Sequence, residues 1–278
     1  MNKLIYDIGM HTGKDTEFYL KKGFNVVAIE ADYSLVEQAK LKFKDELASG
    51  QLVIVPMAIA PKGTSEIEFY INNDKDDWGT ALPDWNRSMN DNFRQVKVKA
   101  IQLESIIEQY GVPYYMKIDI EGSDILCLKS LLNIQAMPDY ISIELNTPNN
   151  FVDKKIDCLE ILSLLSALGY KKFKISDQSK NGEQRSPNPP LEGNFVDFDF
   201  AGDSSGLFGK ELNLPEFSLD EVAKMYLDYF YNSKKNEPES SPGFFHKIGL
   251  LKNVEKDNSA LNNIFHIDGW FDIHAIKN

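Results

Sequence analysis

Cysteine is nearly absent from the 278-residue chain: Cys127 and Cys158 are the only two. Two cysteines cannot build a disulfide scaffold. Both sit in helix-like segments and read as buried free thiols of a reducing compartment. Histidine is equally sparse. His11, His246, His266 and His274 form no H-x-x-H or H-E-x-x-H spacing, so no zinc chemistry is expected and no metal is assigned. No apolar run approaches bilayer-spanning length and no signal peptide precedes Leu4. A cytoplasmic protein without a membrane partner is expected. Positive charge is short as well: 30 Lys and Arg face 42 Asp and Glu, a net charge of −12. Such a balance does not suit the phosphates of a nucleic-acid polymer. No internal repeat is visible. What remains is 42% apolar and 12% aromatic, ample for the core of one domain spanning residues 1–278.

The most informative segment is Leu4-Ile5-Tyr6-Asp7-Ile8-Gly9-Met10-His11-Thr12-Gly13-Lys14-Asp15-Thr16. A short apolar run ends in an acid, a glycine-punctuated loop follows, and a helix opens with Asp and Thr. That order sets backbone N–H groups and a helix N-terminus around a polar ligand. Val26-Val27-Ala28-Ile29 is a β-rich run closed by Glu30. An acid at that point can accept hydrogen bonds from both hydroxyls of a ribose. The chain therefore begins with a nucleoside-cofactor site.

Strand and helix patterns alternate from there. Leu4–Ile8, Asn25–Glu30 and Leu52–Ala58 read as strands one to three, the last continuous and apolar as in a parallel strand covered on both faces,. Asp15–Lys22 and Ser34–Ala48 read as the helices between them. Ser65–Ile71 and Val96–Ile101 are further strands, with a polar, turn-rich stretch from Asn72 to Asn92 between them. Tyr114–Ile120, Asp139–Leu145 and Lys171–Ser176 are strands four to six, with helices at Glu104–Tyr110, Ser123–Leu132 and Asp153–Leu168. Trp270–Ile276 reads as a seventh strand returning antiparallel beside strand six. The result is a doubly wound α/β sheet. Between strands six and seven, residues 177–268 form an insertion. It holds one clear helix, Ser218–Tyr231, opened by a Ser218/Glu221 capping box,. Its phenylalanines, among them Phe195, Phe198, Phe200, Phe208, Phe217, Phe244 and Phe245, suggest a cap over an acceptor pocket. A surface elaboration or a homodimer contact is the plainer alternative.

A dinucleotide fingerprint, G-x-G-x-x-G, needs glycine where this chain has His11 and Lys14,. An NAD-dependent enzyme is therefore the weaker reading. D-x-G-x-x-x-G fits the first loop of class I (Rossmann-like) methyltransferases, which wraps an amino-acid end rather than a pyrophosphate. The antiparallel last strand suits that fold too.

Taken together, Asp7–Thr16, Val27-Ala28-Ile29-Glu30-Ala31, Met57-Ala58-Ile59, Leu103-Glu104-Ser105-Ile106, Met116-Lys117-Ile118-Asp119-Ile120-Glu121-Gly122-Ser123-Asp124 and Ile141–Leu145 resemble the FkbM-type S-adenosylmethionine-dependent methyltransferases. Gly269–Ala275 and Ser204–Gly209 resemble one bacterial branch. The chain departs from the family's usual Asn or Gly at His11. The resemblance implies S-adenosylmethionine as cofactor and methylation of a hydroxyl on a small molecule or glycan. N-methylation, or cofactor binding without turnover, stays open.

The implied cofactor contacts are Asp7 near the ammonium, Gly9, His11, Thr12, Gly13 and Thr16 along the loop, Glu30 and Ala31 at the ribose, and Met57 and Ala58 at the adenine. Asp119 and Glu121 follow on strand four. Asp119 and Glu144 lie within apolar runs, and an unpartnered buried carboxylate is costly. Each should stand at a strand's carboxyl end, facing the crevice. Asp119 is the leading candidate for the base, Glu144 the second and His274 the third. Asp15 reads equally well as a helix-capping residue.

Overall fold

The computed structural model describes residues 3–72, 79–82, 92–145, 155–234 and 271–277. In chain order the elements are β1 (Leu4–Ile8), α1 (Lys14–Lys21), β2 (Asn25–Ile29), α2 (Tyr33–Lys42), α3 (Lys44–Ser49), β3 (Leu52–Val55), β4 (Ala58–Ile59), β5 (Glu66–Asn72) and β6 (Phe93–Ile101). They continue as α4 (Leu103–Tyr110), β7 (Tyr115–Ile118), α5 (Ile125–Leu131), β8 (Tyr140–Leu145), α6 (Lys155–Ala167), β9 (Lys172–Asp177), α7 (Leu219–Lys234) and β10 (Phe271–Ile276).

Seven strands form one sheet in the order β3-β2-β1-β7-β8-β10-β9. The first five pair in parallel. β10 slots between β8 and β9, antiparallel to both. This is the expected doubly wound sheet with its reversed last strand.

The two faces of the sheet differ in chemistry. One is apolar throughout: Tyr6, Ile8, Val27, Ile29, Met116, Ile118, Ile141 and Ile143 pack with residues of α4, α5, α6 and α7. The free thiols Cys127 and Cys158 are buried there. On the other face the register lines up Asp7, Lys117, Ser142, His274 and Lys174 across five strands. Around that polar row, Ile5, Val26, Ala28 and Tyr115 pack against Phe18, Tyr19 and Leu20 of α1.

The segment after β9 completes this second layer. Phe200 and Phe208 are fully buried there. Phe200 meets Phe18 edge-on at 4.8 Å, and Phe208 stacks on Tyr115 at 4.5 Å. Each such ring contributes about 2–3 kcal/mol of transfer free energy. Phe200 and Phe208 thus cover the sheet itself, while Gln178, Gly182 and residues 200–205 of the same segment line the cavity described below. Phe244 and Phe245 lie outside the described residues.

Two further expectations change. The helix over 34–48 breaks at Phe43, whose φ of −109° and ψ of 38° end α2 and start α3. Strand three ends at Val55, because Pro56 has no N–H to continue the ladder,. The chain then leaves the main sheet as β4 and pairs with β6 in a small separate sheet, β4-β6-β5. The capping box holds: Ser218 donates its N–H to Glu221 Oε2 at 2.7 Å.

Candidate functional site

A cavity of about 740 Å³ opens at the carboxyl ends of the parallel strands. Gly9, Glu30, Asp119 and Glu144 form its floor. Phe69, Gly79 and Ala81, from β5 and the strand-like stretch beside it, make one wall; Gln178 and residues 200–205 make the other.

The glycine loop is held from below. Gly9 and Met10 both donate their N–H to the Ile29 carbonyl, at 3.0 and 3.1 Å. Gly9 has a φ of +85°, and a Cβ there would stand 1.7 Å from the Asp119 carbonyl oxygen. Only glycine lets the ends of β1 and β7 approach so closely. His11 also adopts a positive φ, 51°, and its N–H donates to Glu30 Oε2 at 2.9 Å. The loop thus takes a left-handed turn at position 11 without glycine.

Glu30 is 8% exposed and faces the cavity. Its other oxygen accepts the Asp32 N–H at 2.8 Å. Each carboxylate oxygen has two acceptor sites, so both retain one for a ligand hydroxyl. Burial pushes the Glu30 carboxyl above its usual range, partly offset by these N–H donors. Ala31, Met57 and Ala58 line the cavity next to it.

Four expected loop contacts do not reach the cavity. Asp7 is fully buried, accepts from Thr16 Oγ1 at 2.6 Å and lies 3.5 Å from Lys117 Nζ. These contacts make it a brace of the polar row. Burial pushes its carboxyl up to about 6, against the pull of Lys117. Thr16 is occupied with Asp7. Gly13 caps α1 and is bare because a Cβ would meet the Phe43 ring at 2.7 Å. Thr12 is exposed and outside the lining.

Lys117, absent from the expected set, lines the cavity. Its Nζ donates to the Gly9 carbonyl at 3.0 Å. Asp7 and Asp15 stand 3.5 Å away and Asp119 3.6 Å. Burial disfavours its charge, but these acids outweigh it and hold the ammonium well above its ordinary range. The sequence signal was a lysine inside the apolar strand Tyr115-Met116-Lys117-Ile118. Asp15 also lines the cavity and makes no helix cap. Its carboxylate accepts the Ser204 hydroxyl at 2.7 Å and the Ser205 N–H at 3.0 Å, tying the segment after β9 to the glycine loop.

Asp119, Glu121 and Glu144 bring carboxylate oxygens within 4.8 Å of one another, close enough to surround a cation. Asp124 builds the turn that presents Glu121, accepting the N–H groups of Ile120 at 2.9 Å and Gly122 at 3.0 Å. Burial, then the charges of Asp119, Glu121, Asp124 and Asp272, push the Glu144 carboxyl well above its usual range. His274, the third base candidate, lies apart from these acids. It sits deep on β10, paired with Ser142 and Lys174, and does not line the cavity. Burial and Lys174 pull its imidazole down to about 3.

Comparison with curated proteins gave no match. Among solved structures, the chain is similar to a methyltransferase FkbM from Methylobacillus flagellatus KT at 15% identity and a TM-score of 0.38, over 62% of this chain. It spans 39% of that protein's length. A precorrin-6y C5,15-methyltransferase from Geobacter metallireducens GS-15 matches at 8% identity and 0.38, over 100% of this chain and 81% of the other. A SAM dependent methyltransferase from Archaeoglobus fulgidus matches at 13% and 0.36, over 99% and 86%. These likenesses are too weak to argue from. A family model described as the methyltransferase FkbM domain matches residues 7–172. That span is more than half the chain and contains Gly9, Glu30, Asp119 and Glu144, and the chain therefore belongs to the FkbM methyltransferase family, with the class I fold.

Proposed function

We propose that the chain transfers a methyl group from S-adenosylmethionine to a hydroxyl oxygen of a small molecule or glycan. The observation that carries this reading is Glu30: a buried carboxylate at the end of β2, turned to the cavity and oriented by the N–H groups of His11 and Asp32.

The residues fit the group. A volume of about 740 Å³ lies within the range of cofactor and substrate sites. Ala31, Met57 and Ala58 offer an apolar surface for an adenine ring beside Glu30. When bound, S-adenosylmethionine supplies an activated methyl on a sulfonium.

The rest falls to the chain. Glu30 accepts from the ribose hydroxyls. A hydroxyl nucleophile is weak until a base takes its proton. Asp119, with its side chain 31% exposed and Lys117 3.6 Å away to orient it, accepts that proton at a carboxylate oxygen. Glu144 is second in line, since burial and its acidic neighbours favour its protonated form. The segment Ala201–Ser205 and the Phe69 side of the cavity narrow the access of water.

Incubation with methyl-labelled S-adenosylmethionine and a panel of hydroxyl and amine acceptors, read by product mass spectrometry, tests the reading. Label on oxygen supports it. Label on nitrogen alone replaces it with N-methylation, and no transfer to any acceptor favours binding without turnover.

A further inference from the structure

We propose that Ala201–Ser205 forms a strap across the rim of the cavity, and that Lys14 and Asp15 are the clasp whose release sets how fast the cofactor enters and leaves. The inference rests on the cofactor reading above and extends it to the rate of exchange.

The stretch is anchored at both ends. Phe200 before it is fully buried, and Leu207 and Phe208 after it are 5% and 1% exposed in the same aromatic layer. Between these anchors Ala201, Gly202 and Asp203 are exposed and also line the cavity, which puts them on its rim. Gly202 and Asp203 take positive φ, 63° and 33°, and a Cβ at Gly202 would meet nothing within 4 Å. Apolar packing therefore fixes the two ends and leaves the middle to hydrogen bonds.

Those bonds come from two adjacent residues at the start of α1. Lys14 Nζ donates to the carbonyl of Ala201 and, at 3.1 Å, to that of Gly202. Asp15 accepts the Ser204 hydroxyl at 2.7 Å and the Ser205 N–H at 3.0 Å. Among the described residues, every hydrogen bond from 201–205 to a part of the chain before β9 ends on Lys14 or Asp15. Others stay within the segment: Asp199 Oδ1 accepts the Ala201 N–H at 2.9 Å, and Asn181 Nδ2 donates to the Ser204 carbonyl at 2.7 Å.

Lys14 and Asp15 directly follow the glycine loop, whose Gly9, Met10 and His11 line the cavity. A ligand lying along that loop is held between loop and strap. Both halves of the clasp join protein groups to protein groups, so it fastens the strap with or without a ligand beneath. Its opening then governs entry and release alike. Weakening the clasp speeds both and leaves the affinity near its original value.

Lys14→Met removes one half of the clasp at a side chain outside the cavity lining. Release of labelled S-adenosylhomocysteine, chased with unlabelled excess, should speed up about two- to tenfold, as should its association, with less than about a twofold change in Kd. Amide exchange at Ser205 should also quicken, although its own acceptor, Asp15, is intact. That coupling marks the strap as opening in one piece. Ser204→Ala, which removes a hydroxyl from the other half, should speed release in the same direction. Unchanged release in both variants overturns the inference alone, as does unchanged Ser205 exchange in Lys14→Met. Faster release without faster association overturns it too, since Lys14 would then be holding the ligand and not the strap. Failure of S-adenosylhomocysteine to bind the wild-type chain overturns the cofactor reading, and this inference with it.

Discussion

Lys22 Nζ lies 2.8 Å from Glu211 Oε2, with side-chain exposures of 0% and 1%. The pair joins the end of α1 to the segment after β9. Lys22 also donates to the Asn194 carbonyl at 3.1 Å. Glu211 Oε1 accepts the N–H groups of Leu191 and Glu192 at 3.0 and 3.1 Å. A buried pair is weak evidence of net stabilisation, yet removing one partner strands the other's charge.

Glu211→Ala should therefore destabilise the fold by about 3–5 kcal/mol in denaturant unfolding. The double variant Lys22→Met/Glu211→Leu should recover part of that loss. A single variant within about 0.5 kcal/mol of wild type would show that the pair does not hold this layer in place.

Gly9→Ala should cost about 2 kcal/mol or more, because the methyl meets the Asp119 carbonyl and φ is positive,. Thermal unfolding reads the loss, and binding of S-adenosylhomocysteine should weaken with it. Gly63→Ala, also at positive φ but in open space, should show only the smaller conformational cost. Equal losses at the two sites would contradict the close approach of β1 and β7.

Asp272 gives a signed pH dependence. Burial and the charge of Asp119 push its carboxyl up from the ordinary 3.8 to about 7 in the folded state. A raised carboxylate pKa means that the folded state binds the proton more tightly, so this group's contribution falls as pH rises from about 4 to about 7. Asp272→Asn should remove that part of the slope and gain on wild type by roughly 2–4 kcal/mol between those limits. Glu144, Asp119, Lys117 and Asp15 act on the same carboxyl, so the wild-type-minus-variant curve is the quantity to measure. A flat difference would contradict the burial argument.

Asp119→Asn should slow methyl transfer by about 10²–10⁴-fold if Asp119 takes the acceptor's proton. S-adenosylhomocysteine affinity should change far less. Near-normal turnover would move the role to Glu144.

Much of the fold was legible because covered parallel strands are continuous apolar runs and few side chains imitate them. The departures have local causes. Pro56 sits inside the apolar run that ends strand three and stops its ladder. Phe43 breaks the second helix while its ring fills the space that Gly13 leaves open.

In the site, Asp119 and Glu144 were readable from the cost of burying a carboxylate, which sends them to strand ends. The same logic applied to Lys117 would have found its three acids. The depth of His274 was not legible, because a histidine in a strand carries no mark of it. Asp15 misled because a first-turn aspartate looks like a cap, and its partners Ser204 and Ser205 lie about 190 residues away. The aromatic segment after β9 has no periodicity that distinguishes a cap from a sheet-covering layer.

The central claim is that Glu30 anchors an adenosyl cofactor in this cavity. Calorimetric titration of S-adenosylhomocysteine into wild type and Glu30→Ala tests it most directly. One molecule should bind per wild-type chain, and the variant should lose about 1–3 kcal/mol of binding free energy. An undiminished affinity in Glu30→Ala, or no binding to wild type, would contradict the account.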